Sequence, residues 1–155
     1  MSGIKSILLA IGVATDKRDQ AGKVLMHVQR ADSFAHDQMT QLEIYAKETE
    51  MRWTAAAQIS TTPELMRHHY QFMDRLQQAI SMQSGVLASS NRKVEVAKNL
   101  VLEAEFRLTS LKQVLKKKQA DIDILQARRE QKQMDEFATL RRGQSVSAYF
   151  NGELS

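Results

Sequence analysis

Residues Met66–Leu125 read MRHHYQFMDRLQQAISMQSGVLASSNRKVEVAKNLVLEAEFRLTSLKQVLKKKQADIDIL, and a single repeat runs through them. In steps of three and four the series is Met66, His69, Met73, Leu76, Ile80, Gln83, Leu87, Ser90, Val94, Ala97, Val101, Ala104, Leu108, Leu111, Leu115, Lys118, Ile122, Leu125. Only His69, Gln83, Ser90 and Lys118 in that series are not apolar. A 3.5-residue repeat held this long is the pattern of a coiled-coil seam. Gly85 falls inside the stretch but off the series, at a cost of about 1 kcal/mol against Ala. Several short helices of a globular bundle would need caps or turn clusters between them. None divides the run, so the stretch predicts one long helix whose narrow apolar stripe requires a partner.

Composition agrees with a thin seam. Of 155 residues, 43% are hydrophobic, yet only 6% are aromatic, with a single Trp and a single Pro. Large side chains are too few for an ordinary globular core. The absence of Cys excludes a disulfide framework, thiolate catalysis and Cys-ligated metal. The net charge of +4 comes from mixed signs, as where Lys132 lies between Glu130 and Asp135. Such mixing marks a solvated helix face. Denser basic clusters occur at Lys116-Lys117-Lys118, Arg128-Arg129 and Arg141-Arg142. Without interleaved aromatics or a docking motif they are weak evidence for nucleic-acid binding.

The apolar run Ile7–Ala14 is far shorter than the ~20 residues that span a bilayer. One positive charge, Lys5, precedes it, and it passes directly into a helical pattern, so a structural segment is expected rather than a signal peptide. Ile7, Leu8, Leu9 and Ile11 cover more than one helix face, so this end should dock onto something. From Asp16 to Ile59 two adjacent rows carry the apolar residues. One holds Ala21, Leu25, Val28, Ala35, Met39, Leu42, Ala46, Trp53 and Ala56; the other adds Val24, Ala31, Tyr45 and Ile59. The stripe is wider than a two-stranded seam needs, and its excess should stay exposed after pairing.

The strong punctuation is Ser60-Thr61-Thr62-Pro63-Glu64. Thr61 with Glu64 matches a capping box, and Pro suits the first turn of a helix. The expected fold is therefore all-α: an antiparallel coiled-coil hairpin over residues 1–142, with helix one at about 5–59, a bend at 60–62 and a longer helix two at about 63–140. Facing residues should have numbers adding to about 122, and the paired part should be a rod of roughly 80 Å. The last ~20 residues of helix two should project past the N-terminus. Residues 143–155 are expected to form a mobile tail.

Chemistry is sparse. No Gly-rich phosphate loop precedes Gly22-Lys23. His27, His36, His68 and His69 lack metal-ligand spacing. Asp121 and Asp123 diverge on a helix and make no acid/base pair. A thin rod also lacks a water-excluding pocket. The expectation is a binding protein, not an enzyme, with no cofactor and no metal.

Two features exceed the needs of a seam. Gln38, Leu42, Tyr45 and Thr49 on helix one, and Phe72, Leu76, Ala79 and Gln83 on helix two, are spaced four, three, four. The hairpin arithmetic brings the two stripes to one height, either as crowded core or as an exposed groove for a partner. The second feature is Met134 and Phe137, flanking Asp135, on a segment with no helix opposite it. It reads either as an inserting helix tip or as a weakly amphipathic end.

At these residues the sequence resembles the FliJ family, the small coiled-coil proteins of the bacterial flagellar type III export apparatus. The resemblance rests on Gln41–Tyr45, on Tyr70–Ile80 and on Gln131–Ala138, and most specifically on the Tyr-Gln-Phe and Met-Asp-Glu-Phe within the last two, which seam periodicity does not demand. It implies a non-enzymatic cytoplasmic stalk and adaptor, peripherally associated with the inner membrane at the flagellar base through the gate complex, and serving motility. The implied partners are the hexameric export ATPase FliI, met by the end carrying both termini and here by Met134, Asp135 and Phe137; the export gate FlhA; and export chaperones that the protein helps to cycle. The implied gate surface maps onto Gln38, Leu42, Tyr45, Phe72, Leu76 and Ala79. Thr49 stands where the family has an aromatic, and Gln83 where it has a histidine. The protein is expected to be a monomeric rod when free and to bind no nucleic acid. The alternatives are a basic coiled coil binding nucleic acid or an anionic membrane surface through Lys116–Lys118 and the Arg pairs, and a purely structural homodimer.

Overall fold

The computed structural model describes the backbone of residues 2–153 and the side chains of residues 3–147. It contains two helices, α1 (Ser2–Ile59) and α2 (Pro63–Glu153), which pair antiparallel. Helix two is the longer, and no strand occurs among the described residues. The turn between them is residues 60–62. Its geometry follows from Pro63: a proline at the first helical position fixes the residue before it as the N-cap. The Thr62 hydroxyl accordingly accepts a hydrogen bond from the Leu65 amide at 3.2 Å, and the Met66 amide bonds the Thr62 carbonyl at 3.0 Å. The cap is therefore Thr62 and not the Thr61 that the Thr-x-x-Glu pattern picks out. Glu64 in the first turn complements the helix dipole. Thr62→Ala should cost about 1 kcal/mol, read as a lower midpoint in urea with an unchanged slope.

The chain divides into two compact units, Val13–Arg107 and Met1–Gly12 with Leu108–Ser155. In the unit Val13–Arg107 the shielded positions step by three and four along both helices. Ala14, Ala35, Leu76, Val94 and Ala97 are buried, with His69 the buried polar residue. Burial on α1 follows the wider stripe's first row as far as Trp53, then takes Ala57 where Ala56 was expected. Asp32 and Thr49 also fall in line, since 28–32–35 and 46–49–53 keep the step. The second row of the stripe, Val24, Ala31, Tyr45 and Ile59, stays exposed.

Polar bridges cross the seam at three heights. The Ser90 hydroxyl donates to an Asp32 carboxylate oxygen at 2.6 Å, and His36 stands 3.6 Å from the other oxygen. The Gln83 amide donates to the Ala35 carbonyl at 2.8 Å and to the Gln38 side chain at 3.4 Å. His69 meets Glu50 at 3.0 Å and stacks on Trp53, with centroids 4.4 Å apart and planes 9° from parallel. Asp32 facing Ser90, and Trp53 facing His69, follow the expected sum of about 122. Among the described residues no buried polar side-chain atom lacks a partner, as a narrow apolar seam requires.

In the unit Met1–Gly12 with Leu108–Ser155, Leu108 is buried, and Ile4, Ile7, Leu111, Leu115 and Ile122 are half-buried. Ile4 and Leu8 line a depression with Leu115, Ala120, Lys112 and Lys116. The apolar N-terminal segment thus packs on α2 within this unit, while Leu9 remains exposed. Gly3 permits a close approach: a Cβ there would lie 2.7 Å from the Lys118 ammonium nitrogen. Beyond Ile122 every described side chain, through residue 147, is exposed. The expected end of helix two near 140 is corrected, because α2 runs to Glu153. Gly143 alone costs about 1 kcal/mol, and no proline follows to stop the helix. The last residues of the expected tail, 154–155, lie outside the described residues.

Candidate partner-docking surface

The expected groove residues meet at one height, but they do not share one environment. Tyr45 and Phe72 touch edge to face across the helix pair, with centroids 6.0 Å apart and planes at 80°. Both remain open to water, at 47% and 38% of their surface. Leu76 is only 8% exposed and belongs to the seam. Leu42 and Ala79 are half-buried between these extremes, and Gln38 is exposed. The choice between core and groove therefore divides by residue: Leu76 is core, the two rings form an exposed ridge, and Leu42 and Ala79 make its base.

The local reason is helical position. Leu42, Leu76 and Gln83 sit on the seam series, whereas Gln38, Tyr45, Phe72 and Ala79 each precede a seam residue. A residue one place before the seam lies beside it and keeps one side in solvent. Thr49 is half-buried in the seam and Gln83 is held by its bonds to Ala35 and Gln38, so neither adds an aromatic or cationic face to this ridge.

The same flank carries Val24 of the expected second row and two residues that the sequence reading left out, Val96 and Leu100. Val24, Val96 and Leu100 precede seam residues, are exposed, and line one groove with Val28, Ala97, Arg92 and Lys93. Their signal was available as apolar residues recurring one place before the seam.

The end of α2 presents a different surface. Met134 and Phe137 are 69% and 62% exposed. The Arg141 guanidinium lies over the Phe137 ring, 5.4 Å from its centroid. Gln131 donates to the Asp135 carboxylate at 3.2 Å, and the Thr139 hydroxyl donates to the Asp135 carbonyl at 2.8 Å. These bonds run along one helix, so the apolar pair stands on an unpartnered face.

Among the described residues no group of three or more His, Asp or Glu could hold a metal ion, and no helix is long and apolar enough to cross a membrane. No curated protein and no solved structure matches the chain. A family does: residues 9–147 match the one described as "Flagellar FliJ protein". That match spans nearly all of both helices, including the Tyr45–Phe72 ridge and the Met134–Phe137 face, and the chain belongs to the FliJ family.

Proposed function

We propose that this chain, a component of the flagellar export apparatus, is a non-enzymatic stalk and adaptor that links the export ATPase ring to the export gate and assists the cycling of export chaperones. The observation that carries the reading is the Tyr45–Phe72 pair. Two aromatic rings half in water on a thin helix pair add little to the seam, and exposed aromatic clusters are the usual anchors of protein partners. In this reading Tyr45 and Phe72 insert into the cytoplasmic part of the gate protein FlhA, with Gln38, Leu42 and Ala79 beside them. Leu76 supports the rings from beneath and makes little direct contact.

The Met134–Phe137 face meets the ATPase FliI. An amphipathic helix with its apolar side bare is suited to a groove on another protein, and Asp135 adds a charged edge. Location follows from the partners: cytoplasmic, at the inner membrane only through the gate. Met134→Ala with Phe137→Ala should weaken capture by the purified ATPase by roughly tenfold or more and leave the melting curve unchanged, since neither side chain packs against α1. Full ATPase binding by this variant would remove the second contact from the proposal. The whole reading is tested by titrating the chain with the ATPase and, separately, with the gate's cytoplasmic domain. Failure to bind either one sinks it. Weak dependence on salt is expected for the gate contact, because its anchors are apolar.

A further inference from the structure

From the unit Val13–Arg107 we infer a second docking strip, distinct from the Tyr45–Phe72 ridge, that takes an acidic amphipathic α-helix of another protein as a third strand. The inference goes beyond the proposed gate and ATPase contacts and does not depend on them. Between residues 24–34 and 82–100, six exposed large apolar side chains precede seam residues: Val24, Phe34, Met82, Val86, Val96 and Leu100. Over the same span the opposite flank carries only Met26 of this kind, among Gln29, Ser33, Asn91, Glu95 and Lys98. A solvated helix pair has no reason for such asymmetry. Near Val24 and Val96 the strip is a groove of about 380 Å³ with Val28 and Ala97 in its lining.

The occupant's backbone is dictated by what the groove offers. The flanks of two helices present no free main-chain donors or acceptors, so a bound strand would gain no ladder bonds. A helix satisfies its own backbone and needs only apolar residues at three-four spacing to lie between α1 and α2. Residues 82–100 span about 27 Å, the length of a helix of about 18 residues.

Its charge is dictated by the rim. Arg92 and Lys93 line the groove, and Lys23 and Arg30 lie on α1 next to Val24 and Ala31. Among the described residues none of these cations is in an ion pair. The carboxylates of the span are engaged elsewhere: Asp32 with Ser90 and His36, Glu95 with Lys98 at 3.7 Å on the opposite flank. Edge charges select coiled-coil partners, so Glu or Asp beside the incoming apolar stripe is favoured and Lys or Arg is repelled. A second copy of this chain is the wrong occupant, because a two-fold contact of the strip with itself brings Arg92 and Lys93 against their own counterparts.

The test uses the full chain and two synthetic helical peptides of about 20 residues, with identical Leu stripes and either Glu or Lys on the flanks. Fluorescence anisotropy should give saturable binding of the Glu peptide, roughly tenfold or more tighter than the Lys peptide. Arg92→Glu with Lys93→Glu, both exposed, should reverse that preference. Val96→Ser with Leu100→Ser should abolish binding, while Tyr45→Ala with Phe72→Ala should leave it intact. No binding of the Glu peptide, equal binding of both peptides, or indifference to the charge reversal overturns the proposal. So does a parent chain that sediments as a dimer and becomes monomeric with the two serines, since the occupant would then be a second copy. Because the charge-reversal variant leaves the seam untouched, its result decides even if the serine variant melts early.

Discussion

Leu76→Ala should lower stability by about 2–3 kcal/mol, while Tyr45→Ala with Phe72→Ala should leave helicity intact and remove gate binding. These residues lie within two turns of one another, so the contrast separates support from contact. Leu76 is a buried seam residue, and truncating it leaves a void that a helix pair can only partly close. The low end of the Leu→Ala range applies because no described side chain is completely enclosed. The two rings lose mainly their edge-to-face contact, worth about 0.5–1.5 kcal/mol. If they anchor the gate protein, their joint removal costs 2 kcal/mol or more of binding, roughly thirtyfold. Circular dichroism melts and a titration with the gate's cytoplasmic domain read both effects. Should the double variant lose its helices together with its binding, the rings are core and the ridge has no separate role.

Asp32→Leu with Ser90→Leu should have the opposite effect on stability, raising it by about 1–2 kcal/mol, and should broaden the population of assembled states. In the parent, the carboxylate is partly desolvated within the seam, and one short hydroxyl bond and a neighbouring imidazole offset that cost. Two leucines at the same height would bury apolar surface instead. What they would not supply is a reason for α1 to face this α2 at this register. Sedimentation of the variant should therefore show species heavier than the parent alongside a higher melting temperature. A variant that is more stable yet has the parent's mass distribution would mean that the turn and the apolar pattern suffice to fix the pairing.

The helix pair was legible because its seam is written in a strict step: Leu76, Val94, Ala97 and Leu108 follow from counting three and four. On α1, where only apolar rows were counted, polar seam membership stays concealed. Asp32 and Thr49 look like surface residues until the step is carried through them, and Ala56 looks as eligible as Ala57. The capping pattern pointed one residue early because Thr61 and Thr62 are adjacent and only the proline's position separates them. Helix two was expected to stop too soon because an isolated glycine was read as an end without the proline or cap that would enforce one. At the candidate site, hairpin arithmetic brought the two stripes to one height but set Tyr45 level with Leu76 and Thr49 with Phe72. The diagonal ring contact of Tyr45 with Phe72 depends on side-chain direction, which the count does not carry. The burial of Leu76 was already implied by its place in the seam series. The flank of Val24, Val96 and Leu100 escaped because Val24 was weighed as excess width of helix one while the stretch holding Val96 and Leu100 was read only for its seam, so the two walls of the shared groove were never set together.

The absence of any described side chain sealed wholly from solvent bears on how the protein responds to heat. Heat capacity of unfolding tracks the newly hydrated apolar area, and a seam this thin hides little of it per residue. Its stability should therefore vary gently with temperature, and amide exchange should be graded along each helix, slowest beside Leu76, Val94 and Ala97 and fastest where α2 has nothing across from it.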